Sequence, residues 1–224
     1  MSLTGVFLVC TIVPLLFGLW AQWQVRSTFK RYSQVPTASG MTGAQAAAAV
    51  LRAASVDGVE IRPVAGSLSD HYDPRSRTLN LSEDVGQAAT VAALGVAAHE
   101  AGHAVQDARG YAPMRIRQTL VPAASIGSQL WFLPVVLGLI IGSLGLVNVG
   151  LVLFLAVVVF QLVTLPVEFD ASRRAVLALE GGGLLGATEL DGARTVLRAA
   201  ALTYVAALAA SIGQLIYFFL ASRR

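Results

Sequence analysis

A chain of 224 residues allows one or two compact domains. Hydrophobic residues make up 55% of it and charged residues 13%, with a mean hydropathy of +0.67. A soluble domain carries about 25% charged residues, so this composition is that of a membrane protein. The net charge of +3 then reads as membrane topology, and no basic stretch interleaved with aromatics points to a nucleic-acid partner.

Leu3 to Trp23 is an uncharged apolar run of spanning length, closed by Arg26, Lys30 and Arg31. A cleaved signal peptide needs positive charge before its apolar core. Met1-Ser2-Leu3-Thr4 has none, so residues 1–23 are expected to be an uncleaved transmembrane anchor with its N-terminus outside. The one cysteine, Cys10, lies in this run and cannot form an internal disulfide.

Residues 24–118 hold ten Lys/Arg and eight Asp/Glu and read as a small domain. Thr42-Gly43-Ala44-Gln45 is a capping-box pattern that opens an Ala-rich helix ending near Ser55–Gly58. Val59–Arg62 alternates like a strand. Leu68–Tyr72 and Thr78–Leu81 flank Asp73-Pro74-Arg75-Ser76, which reads as a hairpin with Pro in its turn. Ser82 is expected to cap the next helix, which carries Glu83 and Asp84 in its positive first turn and ends near Arg109-Gly110.

That helix contains His99-Glu100-Ala101-Gly102-His103, the pattern H-E-x-x-H. Positions four apart share a helix face, so His99 and His103 can present ring nitrogens to one ion, and zinc suits two imidazoles at that spacing. Glu100 stands beside the open coordination position as general base for an attacking water. With three His and six Glu in the chain, chance yields this pattern in roughly one such chain in a thousand. A Glu buried between two His without a cation would also be costly.

Residues 119–166 read as a transmembrane hairpin, with spans at about 120–142 and 151–166, the latter extended through 144–149. Residues 167–195 leave the membrane as a charged helix with Arg173 and Arg174, broken at Gly181-Gly182-Gly183, after which Thr188 is a candidate cap. Residues 196–224 supply the fourth span, ending Arg223-Arg224. Fourteen of the sixteen basic residues fall in 24–118 and 167–198, which places both segments in the cytoplasm.

A catalytic zinc needs a third protein ligand and one position for water. No later His is available, which leaves His71 or a carboxylate among Asp107, Glu168, Asp170, Glu180, Glu189 and Asp191. Asp107 shares the helix of His103. Asp170 is spaced for an ion pair with Arg173 or Arg174. Glu168 stands where the third span ends, two crossings after His103 and so on the same side of the membrane.

Leu165-Pro166-Val167-Glu168-Phe169-Asp170-Ala171-Ser172-Arg173-Arg174-Ala175, together with His99, Glu100, His103 and Asp70-His71-Tyr72-Asp73-Pro74-Arg75, resembles the YugP-type bacterial membrane-bound neutral zinc metallopeptidases. The resemblance runs from the first span to the last. It implies a mostly α, multi-pass membrane protein with four transmembrane helices and a small α+β zincin-like domain containing a β-hairpin or sheet. It also implies Glu168 as the third zinc ligand. The surroundings are similar to the wider gluzincins, whose second motif is E-x-x-x-D. Glu168 matches its Glu, but Ser172 stands at the Asp position, where a hydroxyl orients imidazole less strongly than a carboxylate.

The expectation is therefore a metallopeptidase in the cell membrane, with its catalytic domain in the cytoplasm, one Zn2+ per chain, and protein or peptide substrates. His99, His103 and Glu168 hold the metal and Glu100 is the base. His71 and Tyr72 are candidate donors to the developing oxyanion, set against plainer roles as a surface histidine and a hairpin aromatic. The hairpin edge is a candidate for pairing with an extended substrate. Two other readings stand beside this one. In a site-2-type intramembrane metalloprotease, Val85–Val105 would lie in the bilayer and Asp191, in Leu190-Asp191-Gly192, would be the third ligand, although the Asn and Pro of that motif are absent. In a non-catalytic membrane protein, zinc would be structural or absent.

Overall fold

The computed structural model describes residues 3–222. The uncharged Met1-Ser2 start and the Arg223-Arg224 pair, which entered the orientation argument, lie outside them. Among the described residues the chain is mostly helical, with one small sheet and four helical stretches long and apolar enough to cross a membrane, at Thr4–Tyr32, Ala112–Ile141, Leu144–Gly181 and Ala187–Ala221. It divides into two compact units, described in turn.

The first unit comprises 1–22, 115–166 and 202–224. Its N-terminal helix is built from α1 (Leu3–Phe7), a π-helical turn over Leu8–Ile12 and α2 (Val13–Tyr32). The second predicted span is two helices, α6 (Ala112–Leu130) and α7 (Phe132–Ile141), separated at Trp131 and stopped by Gly142 in the left-handed conformation. The third span and the charged segment after it, read as two pieces, form one helix, α8 (Leu144–Gly181). Pro166 lies inside it. The last helix, α9, runs over Ala187–Ala221. It starts one residue before Thr188, and the Glu189 carboxylate, not the threonine, accepts from the Gly186 N–H at its entrance. Within this unit Trp131 packs at a tilt against Phe154 and edge-on against Phe218, while Phe154, Val158 and Leu208 make a small buried cluster. Elsewhere the helices expose Leu, Ile, Val and Phe, as lipid-facing surfaces do.

The second unit comprises 23–114 and 167–201. Its first helix, α3 (Gly43–Ala53), has the expected capping box: Thr42 Oγ1 accepts from the Gln45 N–H, and Gln45 Oε1 accepts from the Thr42 N–H. Three strands follow: β1 (Glu60–Val64), β2 (His71–Asp73) and β3 (Thr78–Ser82). The sheet order is β1-β3-β2. β2 and β3 form the antiparallel hairpin, Tyr72 facing Leu79, and β1 pairs with β3 in parallel. Central β3 buries Leu79 and Leu81, and Pro63, which lacks a donor, sits on edge strand β1. The first arm of the hairpin is shorter than its sequence suggests. Before it the chain turns tightly, with Ser69 Oγ donating to the Ala65 and Gly66 carbonyls.

Ser82 precedes only a four-residue helix, α4 (Glu83–Gly86), and its hydroxyl donates to Asp70 instead of capping. The motif helix α5 (Val91–Ala108) starts separately, with Thr90 Oγ1 accepting from the Ala93 N–H, and closes at Arg109 and left-handed Gly110 as expected. α5 is buried on nearly every side: Leu94, Ala97, Ala98 and Ala101 are fully covered, and it packs against α3, α4, β2 and β3. Alanine and glycine on its surface allow neighbouring backbones to come close. At Gly102 an added Cβ would lie 2.8 Å from the carbonyl oxygen of Ala171 on α8.

Candidate metal centre

The motif spacing acts as helix geometry requires. The His99 and His103 rings lie edge to face with centroids 4.7 Å apart, and candidate ligand atoms of His99, Glu100 and His103 fall within 4.8 Å of one another. Across from them, the second unit's portion of α8 presents Glu168, which is 2% exposed. Its Oε2 lies 3.2 Å from His99 Nε2 and 3.5 Å from His103 Nε2. The Gly102–Ala171 approach keeps the two helices close enough for this contact.

These donors fit zinc. Bonds of about 2.0–2.2 Å in a tetrahedral shell set neighbouring donor atoms about 3.3–3.5 Å apart, a range the two Glu168 contacts bracket. Two imidazoles and a carboxylate are borderline-to-hard donors of the kind zinc takes. Glu100 and Glu168 are both buried, so a dication would offset two acidic charges held out of water.

Glu100 is placed by the hairpin. The backbone N–H of Tyr72 on β2 donates to Glu100 Oε2 at 3.1 Å. Burial pushes its pKa above the ordinary glutamate value, with His103 and His99 pulling the other way, so the carboxyl has raised proton affinity. For His103, burial disfavours the charged form, but Glu168 and Glu100 outweigh it and the imidazole pKa is raised.

The other nitrogen of each imidazole is also engaged. Ser172 Oγ stands 3.1 Å from His99 Nδ1, so the residue that departs from the E-x-x-x-D pattern does occupy the place beside the histidine. Gln106, one turn beyond His103 and fully buried, puts Oε1 3.0 Å from His103 Nδ1. Its amide nitrogen donates to the Val167 carbonyl and to Asp170 Oδ2. Asp170 accepts in turn from Arg173 and Arg174, the ion pairs expected of it. Sequence reasoning missed Gln106. Its signal was the i+3 spacing from His103 on the same helix face.

The remaining candidates lie on other contacts. His71 is exposed, with Nδ1 against the Ser69 carbonyl and Nε2 against the Asn80 amide. The Tyr72 hydroxyl donates to Asp107 Oδ2 at 3.0 Å, and burial together with Asp107 pushes the phenol pKa up to about 12. Asp191 is largely exposed and pairs with Arg194 at 3.0 Å. The structure thus brings His99, Glu100, His103 and Glu168 together and links Asp170 to His103 through Gln106, while the contacts of His71, Asp107 and Asp191 run elsewhere.

No solved structure matches the chain. The "Putative membrane protease YugP" of Bacillus subtilis (strain 168) is 42% identical over 212 residues, which cover 95% of this chain and 94% of that protein. The profile of one family matches residues 7–223, a range that takes in the apolar helices and all four clustered side chains. The chain belongs to that family, described as "Putative neutral zinc metallopeptidase".

Proposed function

We propose that this protein is a membrane-embedded zinc metallopeptidase that hydrolyses peptide bonds at the cytoplasmic face of the membrane. The observation that carries the reading is the convergence of His99 Nε2 and His103 Nε2 on Glu168 Oε2, at 3.2 and 3.5 Å, with Glu100 alongside. His99, His103 and Glu168 would hold one zinc ion per chain. Zinc bound there supplies Lewis acidity, which makes water nucleophilic near neutral pH and polarises the scissile carbonyl.

The protein's own groups do the rest. Glu100 takes the proton of the attacking water on its carboxylate and passes it to the leaving amine. The Tyr72 N–H holds Glu100 Oε2, leaving Oε1 for that transfer. Burial raises the basicity of Glu100, which suits a group that must accept and then release a proton. Strand β2 turns the Tyr72 N–H towards Glu100 and forms one end of the sheet, so an extended peptide laid along it would pass the base. The clustering of basic residues in 24–118 and 167–198 supports the cytoplasmic placement.

The test is zinc-dependent proteolysis by purified protein in detergent, with zinc content measured by elemental analysis. Wild type should carry one zinc and cleave, and His103→Ala should lose the metal. Equal zinc in both proteins would remove His103 from the metal site and the proposal with it.

A further inference from the structure

We propose that Gln106 is a positioning residue that fixes the tautomer and orientation of His103 and couples them to the helix bearing Glu168. The inference rests on the reading of His103 as a metal ligand and adds what makes it one.

The argument is one of donors and acceptors. A glutamine amide has an oxygen that only accepts and a nitrogen that only donates. Gln106 is fully buried, and its Nε2 is 2.8 Å from the Val167 carbonyl and 3.0 Å from Asp170 Oδ2, two groups that accept. Rotating the amide by half a turn would set oxygen against oxygen at both contacts, so only one orientation is allowed. In that orientation Oε1 faces His103 Nδ1, 3.0 Å away, and the imidazole must donate. The neutral ring then carries its proton on Nδ1 and leaves its Nε2 lone pair for a cation held jointly with Glu168. A backbone carbonyl on α8 therefore sets the tautomer of a histidine on α5, through one side chain. Val167 is also the neighbour of Glu168, so the same amide ties the third donor's helix to the second donor's ring.

His99 has no such lock. Its partner is the Ser172 hydroxyl, which can donate or accept and so allows either tautomer. Asp170 gives the lock further backing, since Arg173 and Arg174 hold its carboxylate in place. Outer partners of this kind tune metal affinity by about 10–100-fold.

The experiment uses full-length protein in detergent with 15N-labelled histidine, practical because the chain has only three. In metal-free wild type, at a pH where the imidazoles are neutral, His103 should show the Nδ1–H tautomer. The Nε2–H tautomer would overturn the proposal. Gln106→Met keeps volume and removes both hydrogen-bonding roles. It should weaken zinc binding about 10–100-fold and leave His103 as a mixture of tautomers. Wild-type zinc affinity with an unchanged tautomer would overturn the proposal. The tautomer of metal-free wild type gives an independent answer if the Met variant does not fold. A failure of wild type to bind zinc would count against the metal site itself, while the metal-free tautomer still decides the role of Gln106.

Discussion

Gly102→Ala perturbs the centre without touching a ligand. Two effects oppose each other. Alanine gains about 1 kcal/mol of helix propensity over glycine in a helix interior. The new methyl, however, would lie 2.8 Å from the Ala171 carbonyl oxygen and 3.3 Å from that residue's C and Cα. Carbon–oxygen contacts of this kind settle at about 3.3–3.6 Å, so α5 and α8 must separate locally by roughly 0.5 Å or more. Because the obstacle is backbone, no rotamer change relieves it, and overpacking of this sort costs about 1–3 kcal/mol. The net loss of stability is then about 0–2 kcal/mol, small enough for a folded protein. The site suffers more. Contacts of 3.2 and 3.5 Å between Glu168 and the two histidines would open towards about 3.7 and 4.0 Å, beyond the donor spacing of a tetrahedral zinc shell. Zinc affinity should fall at least about tenfold, as when an outer support is lost. Chelator-competition titration gives the affinity and thermal melting in detergent gives the stability. Gly145→Ala is the control, since the nearest atom to its new methyl is 3.9 Å away. A Gly102→Ala protein that binds zinc like wild type and melts higher would refute the close-packing argument.

Glu100→Gln should retain zinc and lose turnover by about 10²–10⁴-fold, read by zinc content and peptide cleavage on the same preparation. Glu168→Ala should cost more zinc affinity than the ~100-fold that an outer partner contributes, while Asp191→Ala, which breaks only an exposed ion pair, should change it by less than about twofold. The reverse order in zinc titrations would favour the intramembrane reading. Reporter fusions at positions 60 and 185 should signal cytoplasm and one at 146 the opposite side; a periplasmic signal at 60 or 185 contradicts the charge argument. Tyr72 contributes a pH dependence. Its phenol keeps its proton in the folded state up to about pH 12, while the unfolded chain releases it near 10, so this contribution is complete below 10 and is lost as pH rises towards 12. Alkaline melting curves of wild type and Tyr72→Phe should converge over that interval.

Much of this protein follows from local pattern. Apolar runs of spanning length and a low charge content require a membrane solution whatever the packing, because the backbone in lipid must satisfy its own hydrogen bonds. The Thr42–Gln45 box and the β2–β3 turn are local hydrogen-bond problems with local answers. The four-residue spacing of His99 and His103 becomes one helix face by geometry alone. Other features depend on contacts that spacing does not encode. Ser82 has the composition of a cap, yet Asp70, twelve residues earlier, takes its hydroxyl, so the motif helix opens at Thr90 instead. The charged segment after Pro166 does not leave its helix, because 167–181 packs into the second unit's core through Val167, Ala175 and Leu179. Glu168 lies 69 residues from His99, and only the Gly102–Ala171 approach of α5 and α8 puts its carboxylate against both rings. Gln106 was one buried polar residue among many until the Val167 carbonyl and Asp170 faced it. Side-chain chemistry and helical period are properties of a stretch of chain. Which acceptor faces which donor across two packed helices is a property of the packing, and there the tertiary structure decides.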